Sequence, residues 1–370
     1  MLKDNAVEIL LARAAEEIDS GLLPSCQVAL ALDGEVVLDR TLGEPVHGDE
    51  SQYLIYSATK GVVSAAFLQL LGEGRLSLDT RVADIIDEFA SFGKEAVTVG
   101  QVMTYTSAFA RAPMGPPAWW TKEGRLEQFA RWRLDGEIGK YDYHITSGHW
   151  VLAALLEEVE GVDFSKSVNR RIGEALSLQS LRLGVPEDSQ TQLVRPVLCG
   201  EPATEAEFQA ALGISGIDAG EANDDNLVAL GEAENIALGL PGGGAVSRAA
   251  DLAMLYQALM RNTESLWDPE VLADATSNVR IFDMDLIRGV PANRSIAFMI
   301  AGADGASAGR GLGHGAHPTA FGHDGIGGQL AFADPSTGLS FSYLTDGMDR
   351  NILRQQRRAR SLATKANGCA

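Results

Sequence analysis

Apolar patterns typical of β-strands occur near both ends of this chain. Near the N-terminus, two apolar runs at 27–32 and 35–38 flank Asp33-Gly34, a dipeptide typical of a type I′ hairpin turn. Residues 7–19 before the hairpin have the apolar spacing of an amphipathic helix. Near the C-terminus, three further segments have strand composition: 295–300, 329–333 and 339–344. We therefore predict an α+β fold in which both chain ends build one antiparallel sheet flanked by helices.

The middle of the chain has a different character. From about 79 to 261, helical periods alternate with Gly- and Pro-rich punctuation, which predicts a mostly helical insertion. The acidic stretch 189–225 predicts exposed loops. We predict a discontinuous sheet part, a helical part and an active site between them; the sheet part comprises residues 1–80 and 265–370, and the helical part 81–264.

Composition excludes several classes of partner. The chain has 370 residues, 45% of them hydrophobic, so it can bury a substantial core. Its formal net charge of −20 would repel a nucleic-acid backbone and an anionic lipid surface. Carboxylates near the N-terminus interrupt the apolar stretch of a signal peptide, and no run approaches the length of a membrane span. We expect a cytoplasmic location, with neither nucleic acid nor membrane as partner.

Ser57 and Lys60 form the sharpest local feature. At i and i+3 they lie on one helical face, so the amine can reach the hydroxyl. A serine hydroxyl is a weak nucleophile that needs a base nearby, and burial lowers a lysine pKa toward that use. By itself the pair also fits a Ser N-cap with a solvated lysine. The following residues, 59–71, are apolar nearly all round and predict a buried helix ending at Gly72-Glu73-Gly74.

The surroundings of this pair resemble a known family. Residues 53–79 and 97–107 are similar to the active-site region of β-lactamase-related serine hydrolases, which include class C β-lactamases, DD-peptidases and family VIII carboxylesterases. Tyr105 and Ala108 replace a His and a Gly that are common in that family. The order of helix, hairpin, insertion and strands also matches. The resemblance implies a β-lactamase/penicillin-binding-protein-like fold, with an acyl-enzyme formed on Ser57 and Lys60 as its base.

The second family motif is Tyr-x-Asn, whose tyrosine shares proton transfer with the lysine. Its counterpart must precede the helix predicted at 150–161, and Tyr143 is our choice. Counting back from Gly161 instead places His144 at the tyrosine position and Thr146 at the Asn position. In neither register is an Asn present. Because that Asn usually holds a substrate amide, its absence argues against recognition of β-lactams or peptides.

The third family motif lines the site from a strand, in a Lys-Thr-Gly or His-x-Gly form. His323 and Gly325, just before the strand at 329–333, resemble the His-x-Gly form. By this resemblance, the amides of Ser57 and Ile326 form an oxyanion hole, His323 orients the site, and Gly325 and Gly327 admit substrate to the backbone. The alternative for His323 is an ordinary turn histidine.

Two further segments are similar to parts of the family's substrate site. Trp119 and Trp120 lie where relatives usually wall an acyl pocket, although core packing explains either ring equally well. Residues 242–247 resemble a glycine loop beside the site. Phosphate binding is the less favoured alternative for this loop, because the loop is not followed by the Gly-Lys-Ser/Thr of a phosphate-binding loop.

Neither a metal nor a cofactor is expected. His314, His317 and His323 lie in a glycine-rich setting without a helical face, a cysteine or paired carboxylates to complete a metal site. Cys26, Cys199 and Cys369 are widely separated and odd in number, which argues against a metal site or a disulfide framework.

The residues predict a serine hydrolase that cleaves an ester through an acyl-enzyme on Ser57. The expected partner is a small-molecule ester or amide, and assembly into a homo-oligomer stays open. The alternatives are hydrolysis of an amide or β-lactam, acyl transfer at the same site, and a catalytically silent binding relative that keeps the fold.

Overall fold

The computed structural model describes residues 2–217 and 222–370. Its α-helices within these ranges are α1 Asp4–Asp19, α2 Thr59–Gly72, α3 Val99–Met103, α4 Lys122–Arg131, α5 Ser147–Glu160, α6 Phe164–Val168, α7 Glu205–Leu212, α8 Asp224–Ala229, α9 Ala233–Leu238, α10 Ala249–Arg261, α11 Pro269–Ser277 and α12 Ile352–Asn367. In this part of the chain, no helix is both long and apolar enough to cross a membrane.

The strands are short outside the main sheet. They are β1 Ser25–Leu32, β2 Glu35–Gly43, β3 Gln52–Leu54, β4 Arg182–Leu183, β5 Leu193–Val194, β6 Val197–Cys199, β7 Ala245–Ser247, β8 Met284–Asp285, β9 Val290–Pro291, β10 Met299–Ile300, β11 Phe321–Gly322, β12 Leu330–Asp334, β13 Leu339–Thr345 and β14 Gly347–Asp349.

The main sheet joins the two ends of the chain, as predicted. Its order is β10-β11-β12-β13-β1-β2, and every neighbouring pair is antiparallel. Alternate residues of β1 face opposite sides: Ala29 and Ala31 join the core that includes α2 and α10, whereas Val28 and Leu30 pack with α1 and α12. The prediction of an antiparallel sheet from both ends, flanked by helices, is confirmed.

The hairpin turn and the buried helix also agree with the sequence. Asp33 and Gly34 have φ angles of 55° and 89°, the left-handed values that a type I′ turn requires at both central positions. The helix α2 is buried from Thr59 to Leu70, and its backbone leaves the helix with Gly74 at a φ of 67°. This helix positions the Ser57 segment at the centre of the molecule.

Two local predictions were wrong. The segment 295–300 is a strand only at β10, because the Ser295 hydroxyl accepts hydrogen bonds from the amides of Ala297 (3.1 Å) and Phe298 (2.9 Å) and forms a turn. The stretch 189–225 contains more than loops: α7 begins at a capping box formed by Thr204 and Glu207. Residues 218–221 of that stretch lie outside the described residues.

The insertion is mostly helical, as expected, and its strands β4, β5 and β7 form a second sheet with β3, in the order β4-β7-β3-β5. Strand β3 pairs with β5 and β7 and leads directly into the Ser57 segment. The division of the chain into 1–80 plus 265–370 and 81–264 stays a prediction.

Candidate active site

Ser57 lies at the junction between strand β3 and helix α2. It is the middle residue of a single 3₁₀ turn, Tyr56–Ala58, that runs into the first turn of α2. Both neighbours in this turn are buried, whereas Ser57 is only partly buried. The turn therefore presents the Ser57 hydroxyl to solvent from an otherwise closed part of the structure.

Lys60 is fully buried, one turn further along. Its Nζ donates hydrogen bonds to the Ser57 Oγ at 3.1 Å and to the carbonyl oxygen of Gly242 at 2.7 Å. Burial lowers the pKa of Lys60 to about 7, the positive charge of Arg294 adds to this effect, and Asp324 opposes it. Near neutral pH a large share of Lys60 is therefore an uncharged amine that can accept a proton from Ser57.

The chain passes close to Lys60 at Gly242, where a side chain would be tightly packed. A Cβ added there would lie 3.4 Å from the Lys60 Nζ and 3.2 Å from the carbonyl oxygen of Ile145. The same loop is anchored on α2, since the Ala245 amide donates to the Thr59 hydroxyl at 3.0 Å. The glycine loop thus supplies Lys60 with a second acceptor, and it lies beside the site as the resemblance implied.

The aromatic ring of Tyr143 lies against Lys60, with 5.4 Å between the Lys60 Nζ and the ring centroid. Burial raises the pKa of Tyr143, the neighbouring Tyr105 adds to the rise, and Arg294 and Ser57 act in the opposite direction. The ring is also 6.4 Å from that of His323. The structure therefore brings Ser57, Lys60, Tyr143 and His323 together.

His144 makes different contacts. Its Nδ1 lies 2.7 Å from the carbonyl oxygen of Asp142, and its Nε2 lies 2.9 Å from the Ser107 hydroxyl. Burial lowers the pKa of His144 to about 4, so the ring is neutral, donates from Nδ1 and accepts from Ser107. Both nitrogens are engaged in the fold, which leaves neither for a substrate in this arrangement.

His323 follows strand β11 and is buried. Its Nδ1 lies 2.8 Å from the carbonyl oxygen of Asp324, while its Nε2 has no hydrogen-bond partner among the described residues. Burial, together with the positive charges of Arg294 and Lys60, lowers the pKa of His323 well below its usual value. The ring is therefore neutral, and it adds no positive charge beside Lys60.

The loop after His323 packs tightly against the Ser57 segment. A Cβ at Gly325 would lie 2.7 Å from the Ile55 carbonyl oxygen, and one at Gly327 would lie 2.9 Å from the Tyr56 ring. Between them, Ile326 is 37% exposed. Among the described residues, no hydrogen-bond acceptor is paired with the amide of Ser57 or of Ile326. Both amides are therefore free to donate to an oxyanion.

Trp119 and Trp120 lie in a short 3₁₀ helix, Ala118–Trp120, beside α4. Trp119 packs on the main core and lies 6.4 Å from Trp150, measured between ring centroids, whereas Trp120 is exposed at 39%. No contact described for either ring reaches Ser57, Lys60 or Tyr143. Their role in binding an acyl group stays a prediction.

The structure adds one charged side chain that the sequence did not single out. Arg294 is buried, with its guanidinium carbon 5.7 Å from the centre of the Tyr143 ring. A lone Arg just before the segment 295–300 carries no signal of such a position. The described residues contain no group of three or more His, Cys, Asp or Glu that could hold a metal ion.

Comparison with known proteins agrees with this geometry. The esterase/beta-lactamase LipL of Mycobacterium tuberculosis is 25% identical over 334 residues, covering 85% of this chain and 75% of LipL. A penicillin-binding protein homologue from Caulobacter crescentus has a TM-score of 0.79 and 25% identity, covering 98% of this chain and 96% of its own. A family VIII carboxylesterase has a TM-score of 0.76 at 21% identity, covering 97% and 96% of the two chains, which shows a shared fold.

The family described as Beta-lactamase matches residues 11–365, nearly the whole chain. This match confirms the fold predicted from the resemblance, and it covers every residue of the site described above. The proteins of this fold that the chain resembles include serine hydrolases, some named as esterases and others as penicillin-binding proteins. The chain belongs to the beta-lactamase family.

Proposed function

We propose that this protein is an esterase that works through an acyl-enzyme on Ser57. The Ser57 Oγ attacks the ester carbonyl while its proton passes to Lys60 or Tyr143, and the amides of Ser57 and Ile326 hold the oxyanion. The alcohol leaves with a proton returned by the same pair. Water then attacks the acyl-enzyme, releases the acid and restores the Ser57 hydroxyl.

The contact between Lys60 and Ser57 carries this proposal. A fully buried amine with a pKa lowered to about 7 lies 3.1 Å from a partly exposed serine hydroxyl. A general base is most effective when its pKa lies near the working pH and it is within hydrogen-bond reach of the proton. Both conditions are met at Lys60, and a Ser N-cap beside a solvated lysine would meet neither.

The residues beside Tyr143 favour an ester over an amide. Ile145 stands two residues after Tyr143, where the family motif has an Asn, and its side chain is 38% exposed. An isoleucine offers no hydrogen bond to a substrate amide, but it can contact an apolar acyl or alkyl group. The name of the family VIII carboxylesterase supports the same choice, whereas the name of LipL, an esterase/beta-lactamase, includes both activities.

The proposed activity is tested by labelling and by turnover. We expect a fluorophosphonate to add to Ser57, detected by intact-mass and peptide mass spectrometry, and p-nitrophenyl esters to be hydrolysed faster than nitrocefin. Adding an alcohol or amine acceptor separates hydrolysis from acyl transfer. If Ser57 is labelled and nitrocefin is hydrolysed but no ester is, the proposed substrate would be a lactam and not an ester. Absence of labelling would favour a silent relative.

Tyr143→Phe is expected to lower kcat by about 10²-fold, because the variant loses the hydroxyl that shares proton transfer with Lys60. Tyr53→Phe is a matched control: it removes a buried hydroxyl, 2.9 Å from the Ser25 Oγ, outside the site. We expect the control to keep kcat within about threefold. Steady-state kinetics on a p-nitrophenyl ester measures both. Equal kcat values for the two variants would remove Tyr143 from the mechanism and return attention to His144.

A further inference from the structure

Arg294 is a buried cation that has no counter-ion in the part of the chain that the structure describes. Its side chain is almost fully enclosed, and within residues 2–217 and 222–370 its Nε and Nη1 have no hydrogen-bond partner. Its Nη2 lies 3.5 Å from the Tyr105 hydroxyl. Among the described residues, no carboxylate oxygen lies within 4.0 Å of the guanidinium. The positive charge therefore faces aromatic rings instead of an acid.

Other buried arginines of this protein do have a carboxylate partner. Arg125 binds Glu157 through two contacts of 2.7 Å, Arg310 pairs with Asp304, and Arg358 lies 3.4 Å from Asp349. An unpaired buried charge is costly, because no ion pair offsets the loss of its hydration. Arg294 is therefore buried without the ion pair that the other three buried arginines have. Unpaired buried charges of this kind are concentrated at functional sites.

The backbone holds Arg294 beside the active site. Its amide donates to the Ile281 carbonyl oxygen at 3.1 Å, and its own carbonyl accepts from the Arg280 amide at 2.8 Å. It also forms a bridge to Met299 in β10, the strand next to β11, which ends immediately before His323. The backbone of Arg294 is therefore held at the edge of the main sheet, beside the His323 segment.

The guanidinium lies over two tyrosine rings, and one of them also contacts the proposed base. Its central carbon is 4.7 Å from the centre of the Tyr105 ring and 5.7 Å from that of Tyr143. The same Tyr143 ring contacts Lys60 at 5.4 Å. One fixed cation is therefore adjacent to the pair proposed to take the Ser57 proton.

We propose that Arg294 is a positioning residue whose fixed charge favours the uncharged form of Lys60 and the ionised form of Tyr143 during acylation. The inference rests on the proposed function, since it assigns Arg294 to the proton transfer from Ser57. A positive charge nearby disfavours a second cation and favours an anion, so one arginine biases both groups in the direction that catalysis needs.

The electrostatic surroundings agree with this role. Burial is the largest cause of the lowered Lys60 pKa, and the charge of Arg294 is the second largest. Burial raises the pKa of Tyr143, and the charge of Arg294 opposes that rise. Asp324 acts on Lys60 in the opposite direction, but its carboxylate is bound by Arg288 at 2.5 Å. The titratable and charged groups that face Arg294 from the surrounding elements are Lys60, Tyr105, Tyr141, Tyr143, His149, Tyr256, Arg288 and His323.

The test is the pH dependence of fluorophosphonate labelling of Ser57 in Arg294→Met. In the unsubstituted protein, the second-order rate constant of labelling should rise with pH as Lys60 loses its proton. In Arg294→Met we expect this rise to occur about one pH unit higher. The rate constant should then be about fivefold lower at pH 7 and less than about twofold lower at pH 9. Arg294→Lys keeps the charge and should leave this rise within about 0.3 pH units of its original position. Arg310→Met removes another fully buried arginine and controls for lost packing.

A uniform loss of labelling at every pH, with the rise at an unchanged pH, would show a merely structural role and overturn the inference. If Arg294→Met does not fold, Arg294→Gln provides the same comparison with a polar replacement. If Ser57 in the unsubstituted protein is not labelled, the proposed function fails. The effect of the Arg294 charge on the Lys60 pKa is then measured directly. For this we would titrate ¹³Cε-labelled lysine by NMR, assigning Lys60 with Lys60→Met; a Lys60 pKa unchanged by Arg294→Met also overturns the inference.

Discussion

Replacing Ser57 with alanine is expected to abolish ester turnover, lowering kcat by about 10⁴-fold or more. The Oγ is the atom that forms the acyl-enzyme, and the geometry places it at the end of a hydrogen bond from Lys60, 3.1 Å away. The variant should also take no fluorophosphonate at residue 57. Steady-state kinetics with p-nitrophenyl esters and intact-mass spectrometry measure the two effects.

A matched control is available on the same helix. Ser64 is buried in α2, further along from Ser57, so Ser64→Ala tests the loss of a hydroxyl from this helix. We expect this control to keep kcat within about threefold and to retain labelling. If Ser57→Ala and Ser64→Ala lost activity equally, the effect would come from the helix and not from a nucleophile.

Replacing Lys60 with methionine is expected to lower kcat/KM by about 10³-fold and to change its pH dependence. The base form of Lys60 is the uncharged amine, and burial lowers its pKa to about 7. In the unsubstituted protein, kcat/KM should therefore rise with pH through about 7 and then level off, since the uncharged fraction grows as pH increases. Lys60→Met should lose that rise.

A second buried lysine provides the comparison. Lys94 is enclosed and donates to the carbonyl oxygens of Ser91 and Trp132 at 2.7 Å each, outside the active site. We expect Lys94→Met to lower the free energy of unfolding, measured in urea, while keeping the rise of kcat/KM near pH 7. A Lys60→Met variant that also keeps this rise would assign the titration to another group.

The fold was largely predictable because its patterns are local. The apolar run of β1, the Asp33-Gly34 turn and the apolar helix α2 each carry a residue pattern or a turn preference that acts over a short range. The segment 295–300 did not follow its composition, because one hydroxyl at Ser295 diverts its backbone hydrogen bonds into a turn. Such a side-chain bond is invisible in hydrophobic periodicity.

The candidate site was only partly predictable. Ser57 and Lys60 are neighbours in sequence, so helical geometry alone brings them within reach. The sequence could not decide between Tyr143 and His144, because the residue type favoured Tyr143 and the spacing from Gly161 favoured His144. In the structure, the His144 nitrogens contact Ser107 and Asp142, whereas the Tyr143 ring lies against Lys60.

By itself, the sequence determined the α+β fold class, the joining of both chain ends in one antiparallel sheet and the pairing of Ser57 with Lys60, since these depend on periodicity and on short spacings. Tertiary structure alone decided the burial that lowers the Lys60 pKa, the contact of Lys60 with Gly242 and the approach of Arg294 to Tyr143. These features join segments far apart in the chain. Their energies depend on distance and on exclusion of water, which no local pattern encodes.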